Sequence, residues 1–559
     1  MDIWIHRDNQ QSFILSTQRM FINSNGGLAA FSSTMSYNNC RHRMLCGSRL
    51  DVVGEAHHTV VIDDDHHLIS STSNNKHRFN AQLFASSHCW GRHPLLVRRA
   101  FDPKLLLNHD VDEHDGNEDD NSRDTAWPSW KVVVEIATDE ESESRIISHI
   151  PGDNSSFELK WGPLTKKDAR SWCNKLESSS SRLLLEPKAI GKTKRETLVV
   201  NDVDRFYPPL ADWMHDTFHF LPNWRMDDGQ ISIAEHGGGI GPHVDNYDVF
   251  LIQMSGTRTW QVGRRKISAQ EERDRTMDGL DVRVLDEWGH VDSNEESSEM
   301  QQFTVHPGDM LYLPPRVAHC GISLSNDCVT LSVGCRAPSV SDMVSKLAER
   351  LSSSMDEYAL RRYTDSDILI GLDSSGMMMP GEITHDAKEM ARKLLLDSLS
   401  SMINDDEWWD EFFGKYVTEQ KRVRSNYPTP TDSSIEDDDW NDAHLAVSNV
   451  VAGKGFLYQA EGIAFAYSCI PSNVHIGRTV TRFFVSGEMW QSKCQVNTDN
   501  WTQIFHIVAN NRRLDRLCLL GLDINDDQKE VRDDIILPSE AISFLEELVS
   551  AGFLYGSGS

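Results

Sequence analysis

The sequence predicts an α+β protein in which a β-rich, barrel-like unit is followed by a helical segment and a small mixed domain. Three observations carry this. Up to about residue 340, short apolar runs end in turn residues, the rhythm of strands. After Pro338 the apolar spacing changes to three and four, the period of helices. The final segment mixes both. A length of 559 residues accommodates three or four units at roughly 150 residues each.

The elements follow in chain order. The first 50 residues carry Arg7, Arg19, Arg41, Arg43 and Arg49 but only Asp2 and Asp8, among many Ser and Asn. Such a leader suits an organelle transit peptide, which would place the protein in a mitochondrion or plastid, and suits equally a disordered tail of a cytoplasmic protein. Asp110–Asp124 is a hydrophilic insert whose Gly116 lies out of register for a calcium loop. Lys131–Ile136 (KVVVEI), Val249–Met254 and Met310–Leu313 read as strands, and the serines from Ser178 to Ser181 as a loop. Met343, Val344, Leu347 and Leu351 mark one helix, and Ala387, Met390, Ala391, Leu394, Leu395 and Leu399 a second. Trp408, Trp409, Phe412, Phe413 and Tyr416 continue that spacing, an aromatic stripe expected to pack within the chain or across a dimer. Glu436–Asp442, after the Pro-rich YPTPTD, reads as a linker. A strand at Thr481–Gly487 and a helix over Ser539–Ala551, with Pro538 before it and Gly552 after it, complete the chain.

Composition narrows the function. Lys plus Arg total 55 against 85 Asp plus Glu, a formal charge of -30. That argues against direct DNA binding, which needs clustered cations, and favours basic partners. No run of about 18 apolar residues is present to span a membrane. The ten cysteines include no CxxC pair, which disfavours zinc-finger and thioredoxin-like sites.

The chemistry concentrates in Ile231–Gly263 and Val305–Pro338. Gly237, Gly238 and Gly239 precede a β-rich run rather than a helix, so they suggest close backbone approach to a bound group more than a phosphate cradle. His243 and Asp245, expected at the start of a strand, point to the same face at i and i+2. His-x-Asp alone is a weak signal. His319, beyond the turn, strand and Pro-rich stop of PGDMLYLPP, completes two His and one carboxylate, the facial triad of non-haem Fe(II) sites. Such a triad leaves three positions open, two for a bidentate 2-oxo acid and one for O₂. Arg258, past the Ser255-Gly256 turn, can present a guanidinium to the remote carboxylate of such an acid.

GGGIGPHVDNYDVFLIQMSGTRTWQVG (Gly237–Gly263), PGDMLYLPPRVAHCGISL (Pro307–Leu324) and SVGCRAP (Ser332–Pro338) closely resemble the Jumonji-C ribosomal oxygenases, nearest to the bacterial-type arginine hydroxylases of large-subunit ribosomal protein sixteen. FLPNWRMDDGQISI (Phe220–Ile233) and, more weakly, WGRHPLLVRRAF (Trp90–Phe101) extend the likeness. The resemblance implies a double-stranded β-helix (cupin/JmjC jelly-roll) core over 81–338, with an acidic insert at 109–124 and a leader over 1–80. A helical dimerisation segment over 339–430, an acidic linker over 431–445 and a winged-helix-like domain over 446–559 would follow. It implies Fe(II) ligated by His243, Asp245 and His319, 2-oxoglutarate held by Arg258 with Ser232 as a further contact, and O₂ as co-substrate. The expected partner is a basic ribosomal protein, hydroxylated at an arginine β-carbon by a homodimer. Tyr247 and Asp248 could meet the guanidinium, or serve only as strand and turn residues. The leader, the acidic insert and the charged stretch Ser268–Gln302 depart from the family pattern and are expected to decorate loops. A histidyl hydroxylase of the same superfamily, a histone demethylase and an iron-free acidic chaperone are the rival readings.

Overall fold

Strand β7 (Asp248–Ser255) shows how the sequence builds the barrel. Its run VFLIQM is apolar on both faces, as a strand covered on both sides must be. Val249 and Leu251 point into one core with Trp260, Val262, Leu311 and Leu313, while Phe250 and Ile252 point into another with Trp213, Ile231 and Leu331. In this computed structural model the first core lies between two sheets and the second between the larger sheet and its covering helices. Full burial of each such side chain contributes about 1.5–3 kcal/mol.

The structure describes residues 60–62, 79, 84, 89–102, 127–180, 193–280, 283–286, 300–353, 357–364, 383–420, 437–471, 479–491, 499–521 and 537–556. The expected insert at 109–124 and most of the expected leader lie outside them. Within the leader's expected range, however, β1 (Val60–Ile62) pairs in parallel with β2 (Leu95–Val97), and Phe79 packs against Phe101 and Phe218. The folded body therefore includes residues before 81, through the backbone pairing of β1 and the ring of Phe79.

The larger sheet also contains β3 (Ser144–Ile150), β4 (Asp153–Trp161), β5 (Arg195–Val200), β6 (Met226–Ala234), β10 (Met310–Leu313) and β12 (Cys328–Cys335), in the order β1-β2-β10-β7-β12-β6-β5-β3-β4. The smaller sheet has β11 (Val317–Ser323), β8 (Arg258–Lys266) and β9 (Met300–Val305) in that order. Two opposed sheets are the expected jelly-roll arrangement.

Helix α1 (Trp130–Ile136) corrects the reading of KVVVEI as a strand. Ser129 caps it by accepting from the Val132 N–H, and Val133, Val134 and Ala137 bury one face in the core that contains Trp172 and Leu176. A helical stripe lay hidden in a valine run, and packing overrode its β preference. Helix α2 (Lys166–Ser180) likewise takes in Ser178–Ser180, expected as a loop. Helix α3 (Pro208–Thr217) covers the larger sheet through Leu210, Trp213 and Met214. The stretch Ser268–Gln302 holds more than loop: α4 (Ala269–Arg275) lies within it, and Val284 and Leu285 are buried.

Beyond the barrel come α5 (Val340–Ser353), α6 (His385–Ile403) and α7 (Asp406–Thr418), all at the expected places. The aromatic stripe packs within the chain: Phe412 and Tyr416 are buried, and Phe413 meets Trp224 edge-on. Arg336 of SVGCRAP donates to the carbonyls of Tyr416, Val417 and Glu419, satisfying groups left open at the end of α7. The acidic run Glu436–Asp442 was expected as a linker, yet α8 (Asp437–Val451) begins inside it. Aspartates suit the positive end of a helix dipole, and Ala443, Val447 and Val450 give α8 a buried stripe at helical spacing.

The final segment contains β13 (Leu457–Gln459), β14 (Phe465–Pro471), β15 (Thr479–Val485), β16 (Glu488–Gln491), α9 (Asp499–Asn510), β17 (Arg513–Leu514), α10 (Ser539–Ser550) and β18 (Leu554–Gly556). Two three-stranded sheets, β17-β13-β18 and β14-β15-β16, share a core with α8, α9 and α10. Gly552 follows α10 at φ +71°, as expected. Among the described residues no helix is long and apolar enough to cross a membrane.

Candidate metal centre

The site begins where the two sheets close on each other. His243 lies before β7 rather than on it. It forms an isolated bridge with His319 of β11, each backbone N–H donating to the other's carbonyl at 3.0 and 2.9 Å. The pairing sets the two imidazoles side by side, with ring centroids 4.3 Å apart. Asp245, two residues along the same arm, brings Oδ2 to 3.6 Å from His319 Nε2. One ligand atom from each of the three lies within 4.8 Å of the other two, and this is the one such group of three or more among the described residues.

The glycine run explains how the arm reaches β11. A Cβ at Gly239 would lie 2.3 Å from the Gly321 carbonyl oxygen, and one at Gly238 2.9 Å from the Glu196 carbonyl oxygen. At Gly238 and Gly239 the close approach is to the protein's own backbone.

The donor chemistry fits a cation. His243 Nδ1 is 2.8 Å from the Gly241 carbonyl oxygen, and His319 Nδ1 is 3.0 Å from that of Val317. A carbonyl only accepts, so each Nδ1 carries the proton and each Nε2 of the neutral ring keeps its lone pair. Both rings are oriented by the carbonyl two residues upstream. With the Asp245 carboxylate they form the 2-His-1-carboxylate set.

Burial, the largest cause, and the neighbouring His243 lower the pKa of His319 to about 4, against the opposing pull of Asp245. The folded chain thus holds a neutral ring where the unfolded chain has an ordinary histidine titrating near about 6.5. Unfolding takes up a proton once pH drops below that value. This contribution to stability is complete above about pH 6.5 and is lost as pH falls toward about 4. The urea midpoint of metal-free protein is expected to fall between about pH 7 and about pH 5, and to fall less in His319→Gln.

Arg258 opens β8 and is 1% exposed. Its Nε contacts Cys328 Sγ at 3.4 Å, Nη2 contacts Ser232 Oγ at 3.5 Å, and its guanidinium lies 5.6 Å from the Trp260 ring centroid. No carboxylate among the described residues pairs with it. A buried guanidinium without a counter-ion is costly unless an anion arrives. Arg258 and Ser232, expected together from the sequence, are neighbours. Ser232 lies on β6, 2% exposed.

Of Tyr247 and Asp248, read either as meeting a guanidinium or as strand and turn residues, Asp248 opens β7 as a core group. It is 4% exposed, accepts from the Tyr312 hydroxyl at 2.5 Å and pairs with Arg225 at 3.2 Å. Tyr247 stays at the rim, 38% exposed. Burial of its hydroxyl and the carboxylates of Asp245 and Asp228 push its pKa up, so it remains a phenol. Asp228, on β6, adds to the negative field on Tyr247 and lies within the FLPNWRMDDGQISI motif, although no role is assigned to it from the sequence.

Comparison with known proteins bears on this arrangement. Residues 213–343 match the model of the JmjC domain. The ribosomal protein uL16 3-hydroxylase of Escherichia coli is 26% identical over 332 residues, 59% of this chain and 70% of its own length. A probable ribosomal oxygenase of Haemophilus influenzae is 24% identical over 408 residues, 73% of this chain and 85% of its own. The X-ray structure of E. coli ycfD superposes with a TM-score of 0.56 at 21% identity, covering 86% of this chain and 99% of that one. The same ribosomal oxygenase in complex with cobalt and 2-oxoglutarate gives a TM-score of 0.52 at 21% identity, with the same coverage. The likeness establishes a JmjC cupin-like fold of mixed α and β content.

Proposed function

We propose that this chain, whose residues 213–343 form a JmjC domain similar to those of ribosomal oxygenases, is an Fe(II)- and 2-oxoglutarate-dependent protein hydroxylase acting on a ribosomal protein. The observation that carries the reading is a cation-ready donor set together with a buried arginine that lacks a carboxylate partner, with the Trp260 ring 5.6 Å from Arg258 and 5.8 Å from His319. His243, Asp245 and His319 would hold the metal. Arg258, with Ser232 beside it, would receive the distal carboxylate of 2-oxoglutarate. When bound, Fe(II) with this co-substrate and O₂ supplies oxidative decarboxylation to succinate and CO₂, coupled to insertion of one oxygen atom into a C–H bond.

The chain's own groups prepare that chemistry. The Gly241 and Val317 carbonyls keep the two Nε2 lone pairs aimed at the centre. Burial of Arg258 strengthens its attraction for a dicarboxylate over a monocarboxylate. At the rim Tyr247 offers an aromatic ring, a partner suited to a guanidinium. The formal charge of -30 favours encounter with a basic ribosomal protein. Together with the resemblance of the motifs, these features support arginine as the residue hydroxylated, at its β-carbon.

The finer architecture belongs to the same proposal. Val340 and Val344 on α5 and Leu395 and Leu396 on α6 are more than half exposed, apolar groups suited to pairing two copies. Residues 446–559 would serve as a winged-helix-like domain.

The test is incubation with Fe(II), 2-oxoglutarate and isolated ribosomal proteins, followed by tandem mass spectrometry. The expected product is a basic ribosomal protein heavier by one oxygen atom at an arginine. The same gain on a histidine would reassign the target residue, formaldehyde release would indicate demethylation, and absence of succinate would refute the oxygenase.

A further inference from the structure

The arm that carries His243 and Asp245 is not a strand, since β7 begins only at Asp248, so something other than a β-ladder must fix it. We propose that Arg316 and Glu272 are positioning residues for this arm, with α4 and Leu285 acting as its brace. The inference rests on the metal reading above and concerns what holds the ligands rather than which residues they are.

Arg316 precedes β11 with φ +70°, a conformation glycine adopts at no steric cost. Here it carries a long cation whose side chain is only 20% exposed. Its backbone N–H donates to the Asp245 carbonyl at 2.8 Å, and Nη1 donates to Asn246 Oδ1 at 2.9 Å. Nη1 also meets the Glu272 carboxylate, and Nε donates to the Ile267 carbonyl at 3.1 Å. One residue therefore ties the far end of the arm both to the end of β8 and to α4.

Glu272 is buried at 6% exposure, on a helix fixed by a capping box between Ser268 and Glu271. Its other oxygen meets Arg283, whose side chain is 71% exposed. Leu285 grips the near end of the arm. The Leu285 N–H donates to the Pro242 carbonyl at 2.8 Å, Leu285 is 2% exposed, and it bridges to Thr276 at the end of α4. Pro242 and Asn246 are thus both held from one side, with the two ligands between them. Donor atoms must be kept within about 0.5 Å of a productive geometry, and partners that orient ligands affect metal affinity by about 10- to 100-fold.

The experiment titrates metal-free full-length protein with Co(II) and follows the d–d absorption bands. Arg316→Gly and Glu272→Gln are each expected to weaken Co(II) binding by about 10- to 100-fold and to alter the band shape. Arg283→Ala, which removes only the exposed partner of Glu272, is expected to bind as wild type does. Wild-type affinity and spectrum in both Arg316→Gly and Glu272→Gln would overturn the proposal, even with a lowered melting temperature, because destabilising a chain that is still folded does not by itself change its affinity. If Arg316→Gly does not fold, Glu272→Gln alone decides. Failure of the wild type to give a Co(II) spectrum would instead overturn the metal reading and the inference with it.

Discussion

Alanine at His319 is expected to abolish metal binding and to lower succinate release by about 1000-fold or more. A catalytic metal supplies several kcal/mol of charge stabilisation, and each 1.36 kcal/mol is a factor of about ten. Two remaining protein donors cannot retain the ion at working concentrations. Asp245→Ala should be equally inactive, yet the two variants should differ in stability. His319 is 2% exposed, and its loss strands the Val317 carbonyl in the core at a cost of about 1–3 kcal/mol. The Asp245 side chain is 21% exposed, and removing it takes a partner from the hydroxyl of Tyr247, a residue that is 38% exposed rather than deep in the core. Calorimetric melting of both metal-free variants, beside anaerobic Fe(II) titration, checks the pair. Full turnover in either variant would remove the triad from the mechanism.

That His243, Asp245 and His319 gather was legible in the sequence because ligand chemistry restricts residue type and because long motifs flank them. That Arg258 and Ser232 are neighbours was legible from the same flanking motifs. What misled were segments whose periodicity is set by packing. Val132, Val133 and Val134 look like a strand until Ser129 caps them and Trp172 receives one face. The aspartates before Ala443 look like a linker until Val447 and Val450 are seen buried behind them. Gly239 signalled close approach correctly, but the group approached is Gly321, far along the chain on another strand. Asp248 differs from Asp245 by three positions and not at all in chemistry, and its side chain is committed to Tyr312 and Arg225. The brace on the ligand arm was unreadable because Arg316 and Glu272 are 44 residues apart and only the fold makes them partners. Local pattern thus carried the chemistry, while long-range pairing decided which polar groups remained free for it.

Arg258→Met tests that last distinction. The substitution keeps an apolar stem beside Trp260 and removes the one buried cation that lacks a carboxylate partner among the described residues of the barrel site. Two outcomes follow from two roles. If the guanidinium serves only the fold, its weak contacts at 3.4 Å to Cys328 Sγ and 3.5 Å to Ser232 Oγ are easily replaced. Methionine would then leave activity unchanged and raise stability, because an uncompensated buried charge has gone. If it receives the co-substrate, methionine leaves a carboxylate to be buried without a partner, a loss of about 2–5 kcal/mol, or roughly 30-fold or more in apparent affinity. We expect the second result together with the stability gain: a raised KM for 2-oxoglutarate, unchanged Co(II) affinity and a higher melting temperature in the absence of co-substrate. Steady-state kinetics in 2-oxoglutarate, paired with the Co(II) titration, separates loss of co-substrate from loss of metal. An unchanged KM would move the anion-binding role to another residue.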